Sequence, residues 1–302
     1  MLQPEGEVTP QTGAGDLQEL LQRDVRIVRW FLEDRWGRRT KPNSTLGQLL
    51  ATSEKLDLHS PAKSVESLDS EVARHHLHAS AVLFRLAWAI RALHGSHAID
   101  WVDGSFIDDE VLGEDTKETN VERKLPGGIG TLVFAGRLVQ AGGGRIVSIN
   151  GKGVRGHDIR WVTKFGDTVL VERKDRSYQA GLTDTSEKRV SRVIAEVRNA
   201  VLNMPREPGA GRVLVVGFQH LVRQHEAEGV DKTYEAGLKQ AFGAGAVWLE
   251  DLPHVVVPEH LGFEPKTRGE KWDFFSPQPL NPEPWFMARV APLLVKALGV
   301  SL

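Results

Sequence analysis

The stretch that most constrains the fold is Gly156–Lys174, "GHDIRWVTKFGDTVLVERK". Two strand-like runs, "HDIRWVTK" and "TVLVERK", flank a tight "FGD" turn. Short apolar runs around a glycine-containing turn form an antiparallel hairpin. A hairpin brings the start of its first strand near the end of its second. Asp158 opens the first strand, and Glu172 and Lys174 end the second. Glu172 and Lys174 are two apart, so they point to one face. Two carboxylates and one lysine converge at the end of an otherwise apolar hairpin.

The flanking pattern places this hairpin in an α/β core. Before it, "TLVFAGRLVQAGGG" reads as an apolar helix (Thr131–Ala141) closed by glycines, and "RIVSIN" as a strand. After it, "SEKRVSRVIAEVRNAVLNM" reads as an amphipathic helix. Val190, Val193, Ile194, Val197 and Val201 share its apolar face, and Ser186 is placed to cap it. "GRVLVVGFQ" is the continuous apolar run of a buried central strand. "GAVWLEDL" is a candidate for one more strand, and a last helix is expected near Pro284–Leu298. The order helix, strand, strand, strand, helix, strand predicts a mixed central sheet with flanking helices.

Residues 1–115 read differently. From Asp16, a predicted N-cap, Leu17, Leu20, Leu21, Val25, Val28 and Leu32 recur at helical spacing. A connector is expected near Lys41–Thr45. A second long helix ends at Gly95, and the acidic "DDEVLGEDTKETN" reads as a linker. The division expected is a helical N-terminal region, 1–115, and an α/β domain with a C-terminal extension, 116–302.

Composition narrows the chemistry. With 302 residues, 40% hydrophobic and 26% charged, the chain can bury a sizeable core. It has no cysteine, which excludes disulfides, thiolate catalysis and zinc–thiolate sites. The polar, acidic start does not read as a secretory signal. The apolar run "ASAVLFRLAWAI" is short and interrupted by Arg85, so no membrane span is expected. A soluble, cytoplasmic protein is the expectation. Residues 121–223 hold 18 Lys and Arg against 9 Asp and Glu, a net of +9. The rest holds 20 against 31, a net of −11. A basic middle suits a polyanion-binding face, or else a solvated charged surface.

Two other patterns carry less. "GKGVRG" (Gly151–Gly156) matches a dinucleotide glycine spacing, but a strand follows it where a helix N-terminus is needed. It reads as a turn. His75, His76 and His78 lie about twenty residues, roughly 30 Å along a helix, from His94 and His97. The two groups cannot share a metal while that helix is unbroken.

The hairpin residues have a chemical use. Carboxylates are hard oxygen ligands that suit Mg²⁺ or Mn²⁺. A nearby lysine can orient or deprotonate an attacking water. The same three residues also suit an ordinary ion pair at a sheet edge.

Gly156–Lys174, with its surrounding elements from Leu125 to Gln219, resembles the PD-(D/E)xK nuclease superfamily. There an acid starts the second core strand, and an acid-x-Lys triplet ends the third. Asp158 and Glu172-Arg173-Lys174 match that spacing. The resemblance implies a restriction-endonuclease-like core and Mg²⁺- or Mn²⁺-dependent cleavage of DNA, with RNA the other nucleic-acid partner. It implies that Asp158, Glu172 and the Arg173 backbone carbonyl hold the metal and that Lys174 positions the water. Arg155, Arg160, Arg173 and Arg176 are then candidate phosphate contacts, with Tyr178 and Gln179 facing substrate. A homodimer is compatible with this reading, and a membrane partner is not expected. Two departures stand out. His157 precedes Asp158 where many members have proline, and the first helix has no acid, so Glu118 or Glu122 would have to reach in. The competing readings are a catalytically inactive nuclease fold that binds nucleic acid or protein, and an interaction protein dominated by its N-terminal helices.

The tetrapeptide VERK also occurs at Val121–Lys124. Pro126-Gly127-Gly128 follow it, so that copy is expected in exposed turn or edge backbone.

Overall fold

The computed structural model describes residues 14–54, 70–112, 127–150, 157–177, 202–219, 255–260, 278–279 and 283–299, with 188, 191, 195 and 198–200. Helix α1 spans Ala14–Arg29 and winds on through Trp30–Arg35 in wider turns. Asp16 therefore lies inside the first turn and is not its cap. Leu21, Val25, Val28, Phe31 and Leu32 are buried, at the spacing of one helical face, while Leu20 is exposed. The connector expected at Lys41–Thr45 is a helix cap. Ser44 Oγ accepts the Gly47 N–H at 3.1 Å and donates to the Lys41 carbonyl at 2.8 Å. Helix α2, Thr45–Glu54, follows and buries Leu46, Leu49 and Leu50.

Helix α3 runs unbroken over Ser70–Gly95, so His75–His78 and His94 sit at opposite ends of it. The His94 ring meets Trp30 edge-on at 5.0 Å. Next comes α4, Gly104–Phe106, which widens through Ile107–Val111. Asp103 caps it by accepting the Ser105 N–H at 2.7 Å. Val111 is fully buried, and Asp108 accepts two hydrogen bonds from Arg38. The acidic stretch read as a linker is thus structured at its start.

Helix α5 spans Gly127–Gln140 and is apolar nearly all round. Its place between α3 and the sheet explains this, since both sides are buried. Gly136 allows α3 close: a Cβ there would lie 2.9 Å from the Trp88 ring and 3.2 Å from the Ala89 Cα.

The sheet contains β1 (Gly144–Ile149), β2 (Ile159–Thr163), β3 (Thr168–Ser177), β4 (Gly211–Gln219), β5 (Val255–His260) and β6 (Gln278–Pro279), in that spatial order. β1, β2 and β3 are antiparallel, and β4 and β5 continue parallel to β3. β6 returns antiparallel. The fold is therefore α/β with a mixed sheet and flanking helices. β3 extends past Lys174 because β4 pairs with it as far as Ser177↔Gln219. Glu172 and Lys174 lie within the strand and not at its end. β5 carries Pro258, and among the described residues β6 pairs with Val255 and Val256, away from the proline.

The single terminal helix expected near Pro284–Leu298 is two, α6 (Pro284–Arg289) and α7 (Ala291–Leu298). Pro292 lacks an N–H and its ring crowds the carbonyl four residues back, which breaks the run. One continuous buried cluster joins Val25 and Leu83 to Ile159, Val213 and Leu294. The first VERK copy, the Gly151–Gly156 turn, the expected strand at 245–252, and Ser186, Val190, Val193, Ile194, Val197 and Val201 lie outside the described residues. Among the described residues, no helix is long and apolar enough to cross a membrane.

Candidate active site

Strand alternation assigns the two faces of the hairpin. Ile159, Trp161, Val169 and Val171 are fully buried in the core shared with α5. The register pairs Ile159 with Val171. Glu172 and Lys174 therefore point to the opposite face, and Arg173 points toward α5. Glu172 pairs with Leu214 on β4, another buried residue, so its carboxylate has lost most of its water.

Asp158 lies just before the first residue of β2, not within the strand, and is fastened to both flanks of Glu172. Its N–H donates to the Val171 carbonyl at 2.8 Å. Its Oδ2 accepts the Arg173 N–H at 2.6 Å. Ordinary bond lengths then put that oxygen within about 5 Å of the Glu172 Cα. Asn150 holds Asp158 from the β1 side. The Asn150 N–H donates to the Asp158 carbonyl at 2.9 Å, and Asn150 Nδ2 donates to the His157 carbonyl at 3.2 Å. Asn150 was not singled out from the sequence. Its position just after a strand and before a glycine turn was the available signal.

Lys174 Nζ forms an ion pair with Glu172 Oε1. The Glu172 side chain is 7% exposed and that of Lys174 is 41% exposed. The pair thus joins a buried anion to a cation at the protein surface. The hairpin brings together Asp158, Glu172, Arg173 and Lys174, with Asp158 held by backbone and Glu172 by the lysine.

This donor set fits a hard divalent cation. Two carboxylates supply oxygens and negative charge. In an antiparallel ladder a residue's N–H and C=O point to the same side. The Arg173 carbonyl therefore points to the side where Asp158 meets the Arg173 N–H. Among the described residues, no group of three or more His, Cys, Asp or Glu side chains is placed to hold a metal. The candidate centre consists of two carboxylates and one backbone carbonyl.

The arginine candidates are placed less favourably. Arg173 is buried, with its guanidinium against α5, where a Cβ on Gly130 would lie 2.5 Å from Nε. Its side chain packs inward and does not present a phosphate contact. Arg160 is taken up by Glu207, with Nη1 to Oε1 at 2.8 Å and Nη2 to Oε2 at 2.7 Å. That hydrogen bonding raises the Arg160 pKa and lowers the Glu207 pKa. The β3 backbone at Arg176 pairs with Phe218. Arg155, Tyr178, Gln179, Glu118 and Glu122 lie outside the described residues. Glu207, missed from the sequence, lies 47 residues from Arg160, and no local pattern links them.

His157 borders the site. Its Nδ1 is buried without a hydrogen-bond partner. Burial pushes its pKa below the ordinary histidine value; Arg160 adds to this and Glu207 opposes it. The neutral imidazole is the form the fold favours.

No family model, curated protein or solved structure matches the chain.

Proposed function

We propose that the chain is a metal-dependent nuclease of the PD-(D/E)xK type, cleaving phosphodiester bonds in DNA. The observation that carries this is the fastening of Asp158 beside Glu172, with Lys174 on the same face as Glu172. The order α5, β1, β2, β3, the helical residues 188, 191, 195, 198–200, 202 and 203, and β4 supports a restriction-endonuclease-like core. Asp158, Glu172 and the Arg173 carbonyl would hold Mg²⁺ or Mn²⁺. When bound, such an ion polarises a phosphoryl oxygen and lowers the pKa of water. Lys174 Nζ carries up to three donor hydrogens on a flexible stem, and it orients the attacking water. The Asp158–Arg173 hydrogen bond fixes one carboxylate before substrate arrives, which limits reorganisation during reaction.

One observation favours a second reading. Helix α5 contains no acidic residue that could complete the centre. A non-catalytic nucleic-acid-binding module would fit that absence. A single set of assays separates the two. Wild type, Lys174→Ala and Lys124→Ala are incubated with single- and double-stranded DNA and with RNA, in Mg²⁺ or Mn²⁺. The nuclease reading requires cleavage by wild type and Lys124→Ala, and none by Lys174→Ala. Salt-dependent DNA binding without cleavage would establish the binding module. Undetectable binding of millimolar Mn²⁺ by folded wild type in calorimetry would overturn the metal centre.

A further inference from the structure

We propose that Lys174 is a built-in competitor for the metal at Glu172. It holds the carboxylate while no divalent cation is bound, and it is displaced when one arrives. The inference rests on the nuclease reading above and adds a regulatory role to its lysine.

The argument begins with burial. Enclosing a carboxylate as Glu172 is enclosed is costly unless a partner replaces the lost hydration. The partner present is Lys174 Nζ, on Oε1, the kind of oxygen a divalent cation would use. The spacing explains this choice. Residues two apart on a strand share a face, and a four-carbon stem can fold back along it.

The two members of the pair differ in freedom. Glu172 is 7% exposed and its backbone is paired with Leu214 of β4, whereas Lys174 is 41% exposed. Its head can swing into water while its stem stays on the sheet. Asp158 has no such swing, because its Oδ2 is tied to the Arg173 backbone. One carboxylate is therefore set by the chain and the other by a replaceable cation. A dication adds charge at Glu172 and frees the ammonium for the water-orienting role.

The test is Mn²⁺ affinity, read by calorimetry on the full chain without nucleic acid. Wild type is compared with Lys174→Met, Lys174→Gln and Lys164→Met. Gln keeps a hydrogen-bond donor, so it serves if Met does not fold. Lys164 is exposed at the hairpin tip, and its replacement removes the same charge away from the pair. The expected result is a Kd at least about tenfold lower for the Lys174 variants, with less than about a twofold change for Lys164→Met. Metal-free Lys174→Met should also melt about 5 °C or more below wild type, and Mn²⁺ should recover most of that loss. Unchanged or weaker Mn²⁺ binding by both Lys174 variants would overturn the competitor while leaving a metal centre in wild type. Equal tightening in all three variants would show a bulk charge effect and would also overturn it. No Mn²⁺ binding by any folded protein would remove both this inference and the nuclease reading.

Discussion

The Asp158 carboxylate stands in for a backbone carbonyl, accepting the Arg173 N–H at 2.6 Å. β2 begins at Ile159, so the strand ladder on that side of β3 ends next to Asp158. An N–H left there without a partner would cost about 1–3 kcal/mol. Asp158 removes that cost and, in doing so, sets a carboxylate beside Glu172. One hydrogen bond both ends a strand pairing and builds half of the candidate centre.

Substitutions at Asp158 should separate these two roles. Asn keeps an acceptor oxygen for the Arg173 N–H, and Ala does not. Asp158→Ala should lose about 1–3 kcal/mol of stability, and Asp158→Asn less than about 1 kcal/mol. Both should lose Mn²⁺ binding. Urea denaturation and calorimetry on the two variants would check this, and equal stability of the pair would exclude the strand-ending role.

Two glycines before β2 should respond very differently to alanine. Gly144 has φ +133°, and a Cβ there would lie 2.1 Å from the Val162 carbonyl oxygen. Gly142 has φ +65° with nothing within 4 Å. Gly144→Ala should cost more than about 3 kcal/mol, from strain plus backbone collision. Gly142→Ala should cost only about 1–2 kcal/mol, from the left-handed backbone alone. Thermal melting of the two variants measures the gap.

The Arg160–Glu207 pair should make stability depend on acid pH. Its hydrogen bond lowers the Glu207 pKa from the ordinary value of 4.5. The contribution is complete above that value and fades as pH falls through the lowered one. Both side chains are about one-third exposed, at 33% and 37%, so solvent screening keeps it below about 1 kcal/mol. Glu207→Gln should flatten this part of the melting profile below pH 4.5. An unchanged slope would show that the pair adds no pH-dependent stability.

Arg160 should also contribute little to nucleic-acid binding. Each phosphate contact adds about 0.9 to the slope of log affinity against log salt on duplex DNA. Arg160→Ala should leave that slope within about 0.3 of wild type, because Glu207 holds both Nη atoms. A drop of a full contact would mean that substrate breaks the pair.

The hairpin was legible from residues because alternation and a glycine turn are local properties. Ile159, Trp161, Val169 and Val171 share one face, so Glu172 and Lys174 had to share the other. Helix α5 was legible in its apolar run and closing glycines, but it begins at Gly127, a turn before the expected Thr131. Helix α2 was overlooked although Ser44 and the spacing of Leu46, Leu49 and Leu50 marked it. β5 was masked by Pro258, which argues against a central strand unless the pairing pattern is known.

The sequence by itself determined which residues share a strand face, because that depends only on the two-residue period of an extended chain. Tertiary structure decided which of those residues have their charge engaged. Arg160 and Arg173 both looked available, yet Glu207 occupies one and burial against Gly130 encloses the other. The extension of β3 beyond Lys174 was decided in the same way, by β4 pairing from about forty residues downstream. Such partners meet only when the sheet closes, and no local period encodes them.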